Sequence, residues 1–212
     1  MTNTLNVTIE SWSDGAEIPG KFAFGVQAVE GHVALSDNIN PKISWSDAPE
    51  GTKSYVIICH DPDVPSSGEY VNQEGKTVPE SLPRVDFYHW VLVDIDAGRT
   101  SIEEGEDCNG ITARGKAPAA HPHGVTGLNN YTDWFAGDAD MGGEYGGYDG
   151  PCPPWNDSIV HHYHFTVYAL DIATLNLSGS FGGPDALDAM AGHILAKGST
   201  VGTYSLNPEV PA

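Results

Sequence analysis

Basic side chains are scarce in this 212-residue chain: nine Lys and Arg stand against 29 Asp and Glu, a formal net charge of −20. The acids are scattered rather than gathered in a tail, so the surface repels phosphate backbones and anionic lipid. Nucleic acid is thereby excluded as a natural partner, and an anion would have to be held by local donors against the global field. Apolar runs are short; none approaches the ~20 residues that cross a bilayer, so stable membrane insertion is not expected. The opening MTNTLNVTIES has neither a basic region nor an apolar one, which predicts no secretory leader and a cytoplasmic location.

Cysteine is also sparse. Cys59, Cys108 and Cys152 are odd in number and without CxxC spacing, which argues against a zinc or redox centre made of cysteine. Cys59 sits in an apolar run and reads as a small core residue. Cys108 and Cys152 both fall in loop contexts, and a bridge between them stays open as an alternative. The nucleophile elbow GxSxG and the zinc motif HExxH are both missing, and no nucleophile has an evident base.

What is plentiful is turn chemistry, with Gly 25 and Pro 15, and 40% hydrophobic residues is enough for a full core. On the prior of roughly 100–200 residues per domain, this is one β-dominated domain, 1–212. Alternation predicts strands at Leu5–Glu10, Phe22–Val29, Ile43–Trp45, Ser54–Cys59, Phe87–Asp96, His161–Leu170 and Thr200–Leu206. In the fifth, His89, Val91, Val93 and Ile95 should share one face. Ser66–Asp86 reads as a polar surface excursion. The stretch from Ala97 to Gly150 is long and poor in periodicity, with short strands expected around Ile111–Ala113. Pro184–Lys197 is the one clear helical pattern: Leu187, Met190, Ala191, Ile194 and Leu195 make a stripe, with Pro184 at its start and Gly198 at its stop.

Chemistry-bearing residues gather where strands meet stiff loops. The strand Ser54–Cys59 is expected to end at His60, delivering Asp61-Pro62-Asp63-Val64-Pro65 as a proline-braced turn. His89 lies near the start of the next long strand. The rigid Gly150-Pro151-Cys152-Pro153-Pro154 run leads to His161 and Tyr163, which share a strand face, while His162 and His164 point the other way. If Asp61, Asp63, His89 and His161 converge, three chemistries are open: a metal site, acid–base hydrolysis, or anion recognition by imidazoles, the Tyr163 hydroxyl and loop N–H groups. A carboxylate beside a histidine should raise its pKa and keep it cationic nearer neutrality, so anion affinity should fall as pH rises through that titration. His32, His121, His123 and His193 read as structural or surface residues, and Trp12, Trp45 and Trp90 as core aromatics.

Taken in order, DPDVP, HWVLVDI, GYDGPCPP and HHYHFTVYALD resemble the phosphatidylethanolamine-binding protein family, in its bacterial and archaeal Raf-kinase-inhibitor-like branch. The resemblance covers roughly Ile43 to the C-terminus, with AMAGHILAKG and GTYSL included. It implies an all-β fold of two packed antiparallel sheets in a Greek-key sandwich, with a short helix near the C-terminus. It also implies a small pocket for phosphate or a phosphoethanolamine-like head group, no cofactor and no catalysis. Carried over by motif, that pocket is made by Asp61, Asp63, Pro65 and His89, with Gly150, Pro151 and Pro153 as its rim and His161 and Tyr163 as its far wall. Val64–Pro65 becomes a candidate cis peptide. The chain departs from the family pattern at His162, where Arg is usual, at Phe87, where Trp is usual, and in the extra Trp155-Asn156-Asp157. A protein-surface regulator of a kinase or peptidase remains an alternative, with Glu103–Asp107 and Tyr131–Phe135 as its contact surface. A metal-dependent hydrolase using His89, His161 and Asp61 is another. Members of the branch often pair as homodimers.

Overall fold

The computed structural model describes residues 3–212. In chain order the strands are β1 (Asn3–Thr4), β2 (Asn6–Ile9), β3 (Ala16–Glu17), β4 (Gly25–Gln27), β5 (Val33–Leu35), β6 (Ile43–Ser46), β7 (Ser54–Pro65), β8 (Arg84–Asp96), β9 (Ser101–Ile102), β10 (Ala120–His121), β11 (Gly124–Thr126), β12 (His161–Leu170) and β13 (Ile194–Tyr204). Two short α-helices interrupt them among the described residues, α1 (Tyr131–Trp134) and α2 (Gly183–Met190), with a 3-10 turn at Gly20–Phe22. The chain is thus mostly β, as expected. No helix among the described residues is long and apolar enough to cross a membrane.

The β-branched and aromatic runs build the centre of the molecule. β13, β12, β7 and β8 pair antiparallel in that order, and β11 and β10 extend the sheet beyond β8. At the other edge the sheet is not purely antiparallel, because β1 and β3 both pair with β13 in parallel. β2, β6 and β9 make a second sheet, and β4 with β5 a separate hairpin. The main core lies between the two sheets. Ile57, Cys59, Trp90, Leu92, Phe165 and Val167 of the large sheet meet Val7, Ile9, Ile43 and Trp45 of the small one, all buried. Each such side chain contributes about 1.5–3 kcal/mol by leaving water. The opposite face of the large sheet, through Val56, Ile58, Val91 and Val93, is covered by Ala186 and Met190 of α2 and by Leu175 and Phe181.

Four expectations are corrected. First, β7 does not stop at His60: Val64 pairs with Val85 and Pro65 with Arg84, after a register shift that absorbs the donor-less prolines. An extended segment in a ladder needs no tight turn, and no cis peptide occurs among the described residues, Val64–Pro65 included. Second, the helix ends at Met190 rather than Lys197. Gly192 turns the chain at φ 83, and Ile194 and Ala196 pair with Leu170 and Ala169 of β12. A ladder partner thus outweighed an apolar stripe that fits a helix equally well. Third, all three cysteines are free, so Cys108 and Cys152 form no bridge. Fourth, Ile111–Ala113 is not a strand; the long region is instead held by β9, β10, β11 and α1.

Candidate ligand-binding pocket

Two irregularities aim the polar residues of the site. Cys59 faces Trp90 across the β7–β8 ladder while His60 faces Tyr88, so His89 is bulged out between them. The bulge turns His89 to the inner side of the sheet, where its ring lies 5.1 Å from that of Tyr163. A second irregularity, with Asp94 at φ 57, moves Ile95 into the main core with Trp90 and Leu92, away from Val91 and Val93. The expected common face of His89, Val91, Val93 and Ile95 is therefore broken at both ends. Strict alternation does hold in β12: His161, Tyr163, Phe165 and Val167 are buried on the inner face.

The result is a cavity of about 230 Å³ at the end of the core. Its polar lining is Asp61, His89 and Tyr163, with Asn72 at the side. The rest is apolar: Phe24, Leu35, Val64, Pro65, Val71, Phe87, Tyr131, Trp134, Phe135, Cys152, Pro153 and Pro154. Neither Lys nor Arg reaches it. Leu35 and Trp134 are exposed, so part of this apolar wall meets solvent.

Behind Asp61 lies a closed ionic cluster. His161 Nδ1 is 2.6 Å from Asp61 Oδ2 and His161 Nε2 is 3.1 Å from Asp157 Oδ2. Arg84 forks onto the same Asp157 carboxylate at 2.6 and 3.1 Å. Burial opposes charge on His161, but the Asp61 charge and the hydrogen bonds that His161 donates to both carboxylates win and push its pKa up to about 9. Burial likewise disfavours the Asp157 carboxylate, yet His161 and Arg84 hold its pKa below the usual value. Two carboxylates and two cations thus neutralise each other out of solvent. The second Asp61 oxygen, Oδ1, accepts the Asp63 N–H at 2.8 Å.

His89 is in the opposite state. Burial pulls its pKa down to about 4, despite the Asp61 charge and a hydrogen bond to the Asp149 carbonyl. That bond, 2.9 Å from Nδ1, places the neutral ring's proton on Nδ1 and leaves Nε2 an acceptor. The Asp149 carboxylate behind it is held by Asn38, Asn129 and Lys116. The expectation of a carboxylate-raised histidine in the pocket is right for His161, which does not touch the cavity, and wrong in sign for His89, which does.

Of the residues read from sequence, Asp61, Pro65, His89, Pro153 and Tyr163 line the cavity. His161 does not: it is fully buried, with both nitrogens engaged, so the far wall is Tyr163 alone. Asp63 turns outward, its carboxylate 2.8 Å from His162 Nδ1. Gly150 and Pro151 act through backbone: the Gly150 carbonyl accepts the Tyr131 hydroxyl and the Pro151 carbonyl accepts Phe24 N–H. Sequence reasoning missed the aromatic wall of Phe24, Tyr131, Trp134 and Phe135. The only signal was aromatic density in an otherwise polar, aperiodic stretch at Tyr131–Phe135. Of the suggested contact surface, Tyr131 is buried and Phe135 lines the cavity, Glu106 and Asp107 are engaged by Arg99 and His123, and Glu103, Glu104, Asp133 and Trp134 are exposed. Among the described residues no three His, Cys, Asp or Glu side chains converge as metal ligands, and His161 has no lone pair to offer one.

Comparison with known proteins follows the same lines. A family model described as phosphatidylethanolamine-binding protein matches residues 8–205. The chain is 30% identical over 200 residues to the UPF0098 protein of Methanothermobacter thermautotrophicus, covering 94% of this chain and 98% of that one. It is 31% identical over 197 residues to the UPF0098 protein YbhB of Escherichia coli, covering 91% and 94%. Among solved structures, the phosphatidylethanolamine-binding protein homolog CT736 of Chlamydia trachomatis matches with a TM-score of 0.63 at 27% identity, covering 96% of this chain and 99% of that one.

Proposed function

The chain belongs to the phosphatidylethanolamine-binding protein family, and on that premise we propose that it is a non-catalytic binding module whose cavity takes the phosphate group of a monoester or phospholipid head group. The observation that carries this reading is the pairing of a neutral His89, acceptor at Nε2, with the Asp61 carboxylate on one cavity wall. Such a wall accepts hydrogen bonds more than it donates them. A phosphate monoester in its monoanionic form matches it, because the P–OH donates while its other oxygens accept from the Tyr163 hydroxyl. Hydrogen bonding at short range, not net charge, does the holding; the −20 chain charge works against the dianion.

Binding without turnover is supported by the lining itself. The nearest sulfur nucleophile, Cys152, is kept as a neutral thiol by burial, which pushes its pKa up to about 12. No Ser, Thr or Lys lines the cavity.

Calorimetric titration with methyl phosphate and phosphoethanolamine between pH 5 and 8 tests the reading. Affinity should decline by about tenfold per pH unit above ~6, where the monoanion is lost. Affinity that is flat or rises with pH overturns it. Release of inorganic phosphate from either compound would overturn the non-catalytic half.

A further inference from the structure

Nine histidines are many for this chain, and most are committed. His89 lines the pocket, His161 is held behind it by Asp61 and Asp157, His123 is bonded to Asp107, His193 to Asp171 and His32 to Glu74. His121 stacks on His123. The other three, of which His162 is bonded to Asp63, are gathered by the sheet on one surface. His162 and His164 are two apart on β12 and point away from the core, opposite to His161 and Tyr163. His60, on β7, lies directly across the ladder from His164, and the two rings face each other at 5.3 Å and 25°.

From this juxtaposition we infer that the outer face of the large sheet, at His60, His162 and His164, is a binding site for a divalent late transition-metal ion such as Cu²⁺ or Zn²⁺. Imidazole is a preferred ligand of these ions, with Cu²⁺ the stronger binder. The ligand spacing is that of neighbouring side chains on a pleated surface: about 6.5 Å along a strand and about 4.5–5.5 Å across the ladder. Two carboxylates complete the set. Asp63 Oδ2 lies 2.8 Å from His162 Nδ1, which orients the ring and leaves Nε2 outward as a lone pair. A carboxylate behind a histidine is the usual outer partner of a metal-bound ring. Asp86 Oδ1, 4.0 Å from His60 Nε2, is a further oxygen donor within a short swing.

Access and field favour a cation. The His162 and Asp86 side chains are about half exposed and the His60 side chain 30% exposed, so an ion reaches these groups from solvent. They must turn, because no three donors converge in their present orientations. The chain charge of −20 raises the local concentration of divalent cations. This site lies on the opposite face of the sheet from the cavity and does not depend on the function proposed for it.

The test is titration of chelator-treated, tag-free protein with Cu²⁺ and with Zn²⁺, followed by calorimetry. One equivalent should bind, with Cu²⁺ the tighter. Affinity should fall at least tenfold in H164A and in H60A, and be unchanged in H121A. Electron paramagnetic resonance of the Cu²⁺ form should show more than one coordinated nitrogen. Urea midpoints of the variants keep the test clear of folding defects, and the H60A/H162A/H164A triple variant supplies the decisive arm. Failure of the parent protein to bind either ion, or retention of full affinity by the triple variant, overturns the inference.

Discussion

His161 Nδ1 stands 2.6 Å from Asp61 Oδ2, with both side chains closed to solvent, and the same ring holds Asp157 on its other nitrogen. A cavity-lining carboxylate is thus oriented by a cation that the cavity never touches. Whatever enters the pocket meets Asp61 with one oxygen committed to His161 and the other to the Asp63 N–H. The pairing makes His161 a residue of the scaffold, and its loss is a question of stability before it is one of binding.

Replacing His161 by Ala leaves the buried Asp61 carboxylate without its cation, while Asp157 keeps Arg84. Removing one partner of a buried pair costs about 3–5 kcal/mol. His161→Ala should therefore lower the stability read from urea unfolding by that order. A variant as stable as the parent would remove the ionic cluster from the account.

Two buried histidines, His89 and His161, predict a dome in the pH dependence of stability. His161 titrates at about 9 in the fold against an ordinary 6.5, so its contribution is complete below 6.5 and is lost as pH rises through 9. His89 titrates at about 4, so the unfolded chain binds the extra proton between 6.5 and 4, and stability is lost as pH falls through that window. Unfolding midpoints from pH 4 to 9 should peak near 6.5. His89→Asn should flatten the acid limb alone.

Trp134 is 51% exposed on the cavity wall. Trp134→Phe should change stability by no more than about 0.5 kcal/mol, as surface substitutions do. It should also abolish most of any fluorescence change on ligand binding, since Trp12, Trp45 and Trp90 lie in the core and Trp155, stacked on His32, does not line the cavity. An undiminished signal in the variant would place the ligand elsewhere.

Gly150 is tightly confined. A Cβ there would come 2.0 Å from the Phe22 carbonyl oxygen, a backbone atom that cannot swing aside. Gly150→Ala should cost about 1–3 kcal/mol, the usual range for overpacking. It should weaken ligand binding by moving the Cys152–Pro154 wall. Parent-like stability and affinity together would show that the loop yields freely.

Much of this was legible along the chain. Alternation in β12 placed Tyr163 inward and His162 and His164 outward, because a strand exposes its period of two whatever surrounds it. Glycine, proline and the apolar runs set the β class, and the motifs DPDVP, HWVLVDI and GYDGPCPP pointed to Asp61, His89 and the proline loop. Register was not legible. The bulge that turns His89 inward and the shift that carries β7 on to Pro65 exist only as relations between β7 and β8, each strand absorbing the other's irregularity. The same holds for Ile194–Lys197, whose apolar spacing suits a helix until β12 offers a ladder.

The sequence by itself determined an acidic, β-rich chain, because composition and side-chain period are local properties; that carboxylate, imidazole and phenol share one pocket was implied by the family resemblance. Only the tertiary structure decided which imidazole is charged. His89 and His161 are both buried histidines near Asp61, but one faces a backbone carbonyl and an apolar cavity, and the other lies between two carboxylates. Desolvation prevails at the first and Coulombic attraction at the second, and that balance depends on neighbours brought together from Asp61, Asp149 and Asp157, far apart along the chain.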